Sequence, residues 1–203
     1  MKGPAPAEKN CDRDDRLPPR ARILAAATEL FYRHGIRAVG VEAIAEAAGT
    51  NKMTLYRHFA SKDALVAEYL RQFAHVSDGC WDRLAHKHPG DPLAQLFAWL
   101  EEMAGHVVAP DERGCALANA AIELPEKDHP ARRVIEDYKR AQRGRLVRLC
   151  EQAGLREPEM LADELYLIME GARVTAQSVG TEGLAVRLLH MGKAMIAAHT
   201  PQC

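Results

Sequence analysis

The sequence predicts an all-α protein, and three observations carry that prediction. The composition is 47% hydrophobic and 27% charged with only 5% aromatic residues, and it abounds in Ala, Leu, Glu and Arg, which favour helix. Apolar residues recur three and four apart along the chain, while the alternating β-branched pattern of a strand is almost missing. Clusters of Pro, Gly and Asp divide these periodic stretches into about nine segments. At 203 residues the chain is long enough to bury a sizeable core. No run approaches the ~18 apolar residues of a membrane span. The opening MKGPAPAEKNCDRDDR has no apolar centre of the kind a secretory signal carries. A cytoplasmic protein is therefore expected.

Residues 1–17 mix Pro, Asp and Lys without periodicity and read as a disordered arm. Pro18 and Pro19 introduce the first helix, Arg20 to His34, with Ile23, Leu24, Ala27, Leu30 and Phe31 on one stripe. Gly35 suits its C-terminus. Val41, Ile44, Ala45 and Ala48 then line one face of a short second helix, interrupted by Gly49. Thr50 or Asn51 can cap a third, in which Leu55 and Phe59 point inward while Lys52, Met53, Thr54, Arg57 and His58 point outward. Two short helices joined by a tight Gly turn, the second with a polar and basic outer face, describe a helix-turn-helix. Ala45 and Ala48 fit that geometry, because helices that cross closely leave little room for side chains.

Ser61 is placed to cap a fourth helix that carries Leu65, Val66, Tyr69, Leu70 and Phe73 to about Trp81, before the breaker cluster His86 to Pro92. Leu93 to Val108 forms a fifth and Gly114 to Leu124 a short apolar sixth. Ala131 to Gly154 forms an Arg-rich seventh, Pro158 to Val179 an eighth and Leu184 to Ala198 the last. Residues 18–62 form the helix-turn-helix domain in this reading, and residues 63–203 the remainder. The formal charge of −1 conceals a net of +4 over residues 18–62, where phosphate contacts would need it. Five scattered cysteines without a CxxC pair fit neither a disulfide framework nor a zinc knuckle. The histidines give no metal-binding spacing, and no metal or cofactor is expected.

Leu30-Phe31, Gly35, the IAEAAG of Ile44 to Gly49, and then Leu55, Tyr56, His58, Phe59, Lys62 and Leu65 resemble the DNA-binding domain of TetR-type transcriptional regulators. The resemblance covers roughly Arg20 to Leu65. It implies three helices for DNA binding, with the others forming a ligand pocket and a dimer interface. Thr50-Asn51 stands where members often carry Val-Ser, and Met53 where a small residue is common, which bears on the operator sequence and not on the scaffold. The stretch Arg113 to Arg140 also resembles a C-terminal version found within the family.

The resemblance implies that Tyr56 and Lys62 bind phosphates and that Lys52, Thr54 and His58 lie near the groove. The chemistry agrees: a phenol and an ammonium are good phosphate donors. Lys52 can donate to guanine O6 or N7, and Met53 or the Thr54 methyl can touch a thymine methyl. Thr50 and Asn51 complete the set, and Arg57 is either a DNA contact or a surface residue. One helix-turn-helix reads only a few base pairs, so a homodimer on palindromic double-stranded DNA is expected. Leu161, Leu165, Ile168, Leu184, Leu188, Met191 and Met195 on the last two helices are its interface candidates.

A small organic effector is expected among the fourth to eighth helices. Its candidate contacts are Phe97, Trp99, Met103, His106, Cys115, Asn119, Glu123, Tyr138, Met169, Arg173 and Gln177. Asn119 and Glu123 are favoured because polar groups four apart on an apolar helix need partners if buried. The resulting expectation is a dimeric repressor, not an enzyme, that an effector releases from its operator. Two alternatives stay open: a regulator that senses oxidation through Cys115, and a helical binding protein or enzyme that does not use its helix-turn-helix.

Overall fold

The computed structural model describes residues 17–110 and 113–201. The arm expected over residues 1–17 lies outside the described residues except for Leu17, as do Cys11 and Cys203. Nine helices and no strand occur among the described residues: α1 (Pro19–His34), α2 (Val41–Ala47), α3 (Lys52–His58), α4 (Lys62–Lys87), α5 (Pro92–Val107), α6 (Ala116–Glu123), α7 (Pro130–Gln152), α8 (Pro158–Ser178) and α9 (Leu184–His199). None of the described helices is long and apolar enough to cross a membrane. The chain forms two compact units, Met1–Tyr69 and Leu70–Cys203, whose boundary falls inside α4.

In the first unit α1 packs on both α2 and α3. Ile23, Ala27 and Phe31 from α1 are buried, as are Val41, Ile44, Ala45 and Ala48 around α2 and Leu55 and Phe59 around α3. The Phe31 and Tyr69 rings meet at 5.7 Å, tilted by 50°. Gly49 turns the chain between α2 and α3 with φ 60°, a left-handed conformation that costs glycine nothing and other residues strain. A Cβ there would meet no atom within 4 Å, so backbone conformation and not space requires glycine. The Ala64 N–H donates to Ser61 Oγ at 3.0 Å, which caps α4 as the sequence predicts.

In the second unit α5 packs against α7, α8 and α9, while α8 lies against α7 and α9 and α6 against α7. Leu96, Leu100, Leu146, Leu161, Leu165 and Ile196 are fully buried there. Trp81 stacks on Trp99 at 6.2 Å, and its indole N–H donates to Gln142 Oε1 at 2.7 Å. Gln142 in turn donates to Asp78 Oδ1 at 3.0 Å, and the Arg145 guanidinium pairs with the same carboxylate. The half-buried indole thus has a partner for its N–H.

α4 runs six residues beyond the predicted stop at Trp81, to Lys87. Leu84 continues its buried stripe, His86 and Lys87 place basic groups in its last turn, and Pro89 then disfavours further helix. α6 is shorter than predicted, because Gly114 adopts φ 80° and Cys115 takes the N-cap position.

The tightest approach in this unit is at Gly192, where an added Cβ would lie 2.5 Å from Leu100 Cδ2. Leu100 is itself fully buried and cannot swing away. Gly192→Ala is therefore expected to destabilise the protein by about 1–3 kcal/mol through overpacking. A lowered urea midpoint with an unchanged slope would show it.

Candidate nucleic-acid interface

α3 is about two turns long, and one side chain fixes how it starts. Asn51 is extended, with φ −125° and ψ 165°, and its Oδ1 accepts the Thr54 N–H at 2.9 Å. Of the two capping candidates, Asn51 performs the role. Its carboxamide oxygen is thereby committed to the fold, and Nδ2 is the group it has left for another molecule. Leu55 and Phe59 turn inward, and the opposite face projects outward.

On that outward face Met53 is 77% exposed and Tyr56 42% exposed. Lys52, Arg57 and His58 are exposed, whereas Thr50, Thr54 and Lys62 are half-buried. Lys62 Nζ lies 6.0 Å from the Phe31 ring centroid, a cation–π placement that steadies its stem. Arg20 packs similarly, 5.0 Å over Phe59, and pairs with Glu68 at 2.8 Å. The surface is a short ridge of donors and one long thioether around a capped helix start, suited to phosphate oxygens and groove edges.

Glu42 carries no motif or periodic signal of a functional role. Its Oε1 lies 2.6 Å from Lys52 Nζ, so the first residue of α3 is bonded across the turn to the start of α2. The hydrogen bond from Lys52 holds the Glu42 carboxyl below the usual carboxylate range, and the same bond raises the Lys52 ammonium. A ten-residue separation across a turn has no periodic signature, so the pair is not legible in the sequence.

The effector candidates differ in burial and in their partners. Trp99 and Met169 belong to the core of the second unit, so their neighbours are protein atoms. Phe97, Met103, Asn119, Glu123, Tyr138 and Arg173 are half-buried, while His106 and Gln177 are exposed. His106 pairs outward with Glu102 at 3.8 Å. Asn119 has the partner its burial demands, donating to the Arg113 carbonyl at 2.8 Å. Arg173 and Met103 do come together: the guanidinium donates to Glu170 Oε1 at 2.9 Å and to Met103 Sδ at 3.8 Å. Lys139 reaches the other oxygen of Glu170 at 2.6 Å and lies 5.6 Å from the Tyr166 ring centroid. Burial pushes the Tyr138 phenol up to about 12 and raises that of Tyr166 too, so both are neutral hydrogen-bonding groups.

Cys115 is buried at the N-cap of α6. Burial pushes the Cys80 thiol up to about 12 and the Cys150 thiol to about 11. Among the described residues no three His, Cys, Asp or Glu side chains converge as a metal site would need.

Burial divides the interface candidates on α8 and α9. Leu161, Leu165, Leu184 and Leu188 are buried in the chain's own core, because α8 packs on α5, α7 and α9, and α9 packs on α5. Ile168 and Met195 are half-buried and Met191 is exposed. The outward apolar side chains are instead Met160, Leu167 and Val174 on α8, with Leu167 69% exposed. Leu167, Ile168, Ala194, Met195 and Ala198 line an open groove between the two helices, with Glu164 and His199 among its polar groups.

The profile of "Bacterial regulatory proteins, tetR family" matches residues 23–69. The HTH-type transcriptional repressor KstR2 of Mycobacterium tuberculosis is 28% identical over 200 residues, covering 83% of this chain and 90% of that protein. A crystal structure of SCO4454, a TetR-family transcriptional regulator from Streptomyces coelicolor, superposes with a TM-score of 0.85 at 27% identity, covering 90% and 96% of the two chains. A putative TetR-type transcriptional regulator from Streptomyces avermitilis, sav143, is 30% identical with a TM-score of 0.75, covering 90% of this chain and 98% of that one.

Two outcomes follow from the site as built. Asn51→Ala should cost about 1 kcal/mol by removing the cap of α3, whereas Asn51→Ser retains most of it; thermal melting of the two variants checks this. At pH 8, maleimide treatment followed by peptide mapping should leave Cys80 and Cys150 unmodified in the native protein and label them once it is unfolded.

Proposed function

Because this chain belongs to the TetR family of bacterial regulatory proteins, we propose that it binds a palindromic operator as a homodimer, represses transcription there, and is released by a small organic effector. It is a DNA-binding transcriptional regulator, and its relatives are regulators and not enzymes. The observation that carries the operator reading is the capped two-turn α3, with its outward Lys52, Met53 and Tyr56 and the flanking Lys62. Tyr56 and Lys62 bind phosphates in this reading, while Lys52, Met53 and Thr54 face base edges and Thr50, Asn51, Arg57 and His58 border the contact.

A helix of this length spans only a few base pairs, which favours a two-fold assembly on two half-sites. The stripe of Met160, Leu167 and Val174, with Met191 on α9, supports the same conclusion. Its apolar atoms face outward where the chain's own core does not use them, and a second copy can cover them as a four-helix contact. The effector reading draws support from the half-buried polar groups of α5 to α8, chiefly Tyr138, Lys139, Glu170 and Arg173. A ligand that favours one conformation of the dimer shifts the population away from the operator-bound form. The name of the repressor KstR2 supports the sign of regulation. Sensing through Cys115 has less support, because the thiol is buried.

Selection of bound duplexes from a random DNA pool tests the operator reading. An enriched palindrome is expected, and a Tyr56→Ala, Lys62→Ala double variant should lose the enrichment; bulk, salt-sensitive binding alone would refute a discrete operator. Leu167→Glu is expected to turn the dimer into a monomer in light scattering while circular dichroism stays unchanged. Leu165→Ala should instead lower stability by about 2–5 kcal/mol, as a cavity in the core does.

A further inference from the structure

The pair between Lys52 and Glu42 lies beside the face that meets DNA. Nζ and Oε1 are 2.6 Å apart, and both side chains are more than half exposed. Exposed pairs of this kind add little to stability, so the fold supplies no strong reason for it. Glu42 lies in the first turn of α2, which roots its carboxylate at the start of that helix. Lys52 is the first residue of α3, directly after the Asn51 cap. A lysine in that place is ordinarily a roaming charge on a stem with four torsions, able to satisfy any nearby phosphate. Here one of its three N–H donors is committed to an anchored acceptor, and two remain for another molecule.

We propose that Glu42 is a specificity-determining positioning residue, which holds Lys52 as an oriented donor for a base edge and keeps it from binding phosphates indiscriminately. The inference rests on the reading of Lys52 as a base contact. If Lys52 left for a phosphate, it would strand the Glu42 carboxylate unpaired beside a polyanion, where like charges repel. If it donated its two remaining protons to guanine O6 and N7, the pair would stay intact and the carboxylate neutralised. The wrong partner is thus disfavoured by a built-in repulsion, the usual means by which an interface acquires specificity beyond affinity. Met53, exposed beside Lys52, brings no competing charge.

The test uses the full chain as wild type, Glu42→Gln, Lys52→Ala and the double variant. The probes are the operator duplex recovered by random-pool selection, the same duplex with each half-site guanine replaced in turn, and a scrambled duplex. For Glu42→Gln, binding to the scrambled duplex should strengthen several-fold, and its log–log salt dependence should steepen by about 0.9, the signature of one added phosphate contact. Discrimination at one guanine should fall from about tenfold to under threefold, as expected for loss of one oriented base contact. Lys52→Ala should lose the same discrimination, and the double variant should match it. Thermal melting should not move, since both side chains are exposed. If Glu42→Gln keeps full discrimination while Lys52→Ala loses it, Lys52 reads unaided and the proposal is overturned with the base-contact reading intact. If Lys52→Ala discriminates like wild type, or wild type selects no operator, that reading falls and the proposal with it. If Glu42→Gln weakens operator and scrambled binding by one common factor, Glu42 only supports the fold and the proposal is likewise overturned.

Discussion

Burial of Leu55 is the contact on which the DNA-reading unit depends. A seven-residue helix has too few hydrogen bonds to persist alone in water, so its stability must come from tertiary packing. α3 meets that need with Leu55, which has no exposure, and with Phe59 just beyond its end. Supplying the whole apolar anchor from two positions four apart leaves the other face free to carry chemistry. α2 makes this possible from the other side, since Ala45 and Ala48 are small enough to let the second helix approach.

The same economy explains the caps. Asn51 satisfies the Thr54 amide, and Ser61 satisfies that of Ala64. Between these two caps lie Lys52 to His58, the residues of α3. A short helix held at its start by a side chain and in its middle by one leucine presents its donors with little freedom to wander. The Glu42–Lys52 pair extends that restraint to the first side chain of α3.

The second unit solves a different problem, because its helices are apolar on more than one side. On α8 the positions Leu161, Leu165, Met169 and Ala172 turn toward α5 and α7, while Met160, Leu167 and Val174 turn away. Both sets repeat at helical spacing. One becomes core and the other surface according to which neighbours arrive, and the surface set is the one available to another molecule. The half-buried polar network of Lys139, Glu170 and Arg173 is likewise assembled from α7 and α8 and has no counterpart in either helix alone.

Helix positions, most helix ends, the helix-turn-helix and the capping candidates were all legible in the residues, because each follows from interactions within a few positions of chain. Periodicity places Leu55 and Phe59 on one side, Gly49 marks the turn, and Ser61 marks a start; such signals survive without knowledge of any distant neighbour. The helices α4 and α6 differed from expectation at their ends, where a continuing buried stripe and a left-handed glycine decided the matter. Contacts between distant residues were not legible. The sequence could not say which of two apolar stripes on α8 faces inward, that Trp99 stacks on Trp81, or that Glu42 meets Lys52 across a turn. A helical period names the faces of a helix, but only the packing of helices against one another decides which face is covered and which side chains from separate helices meet.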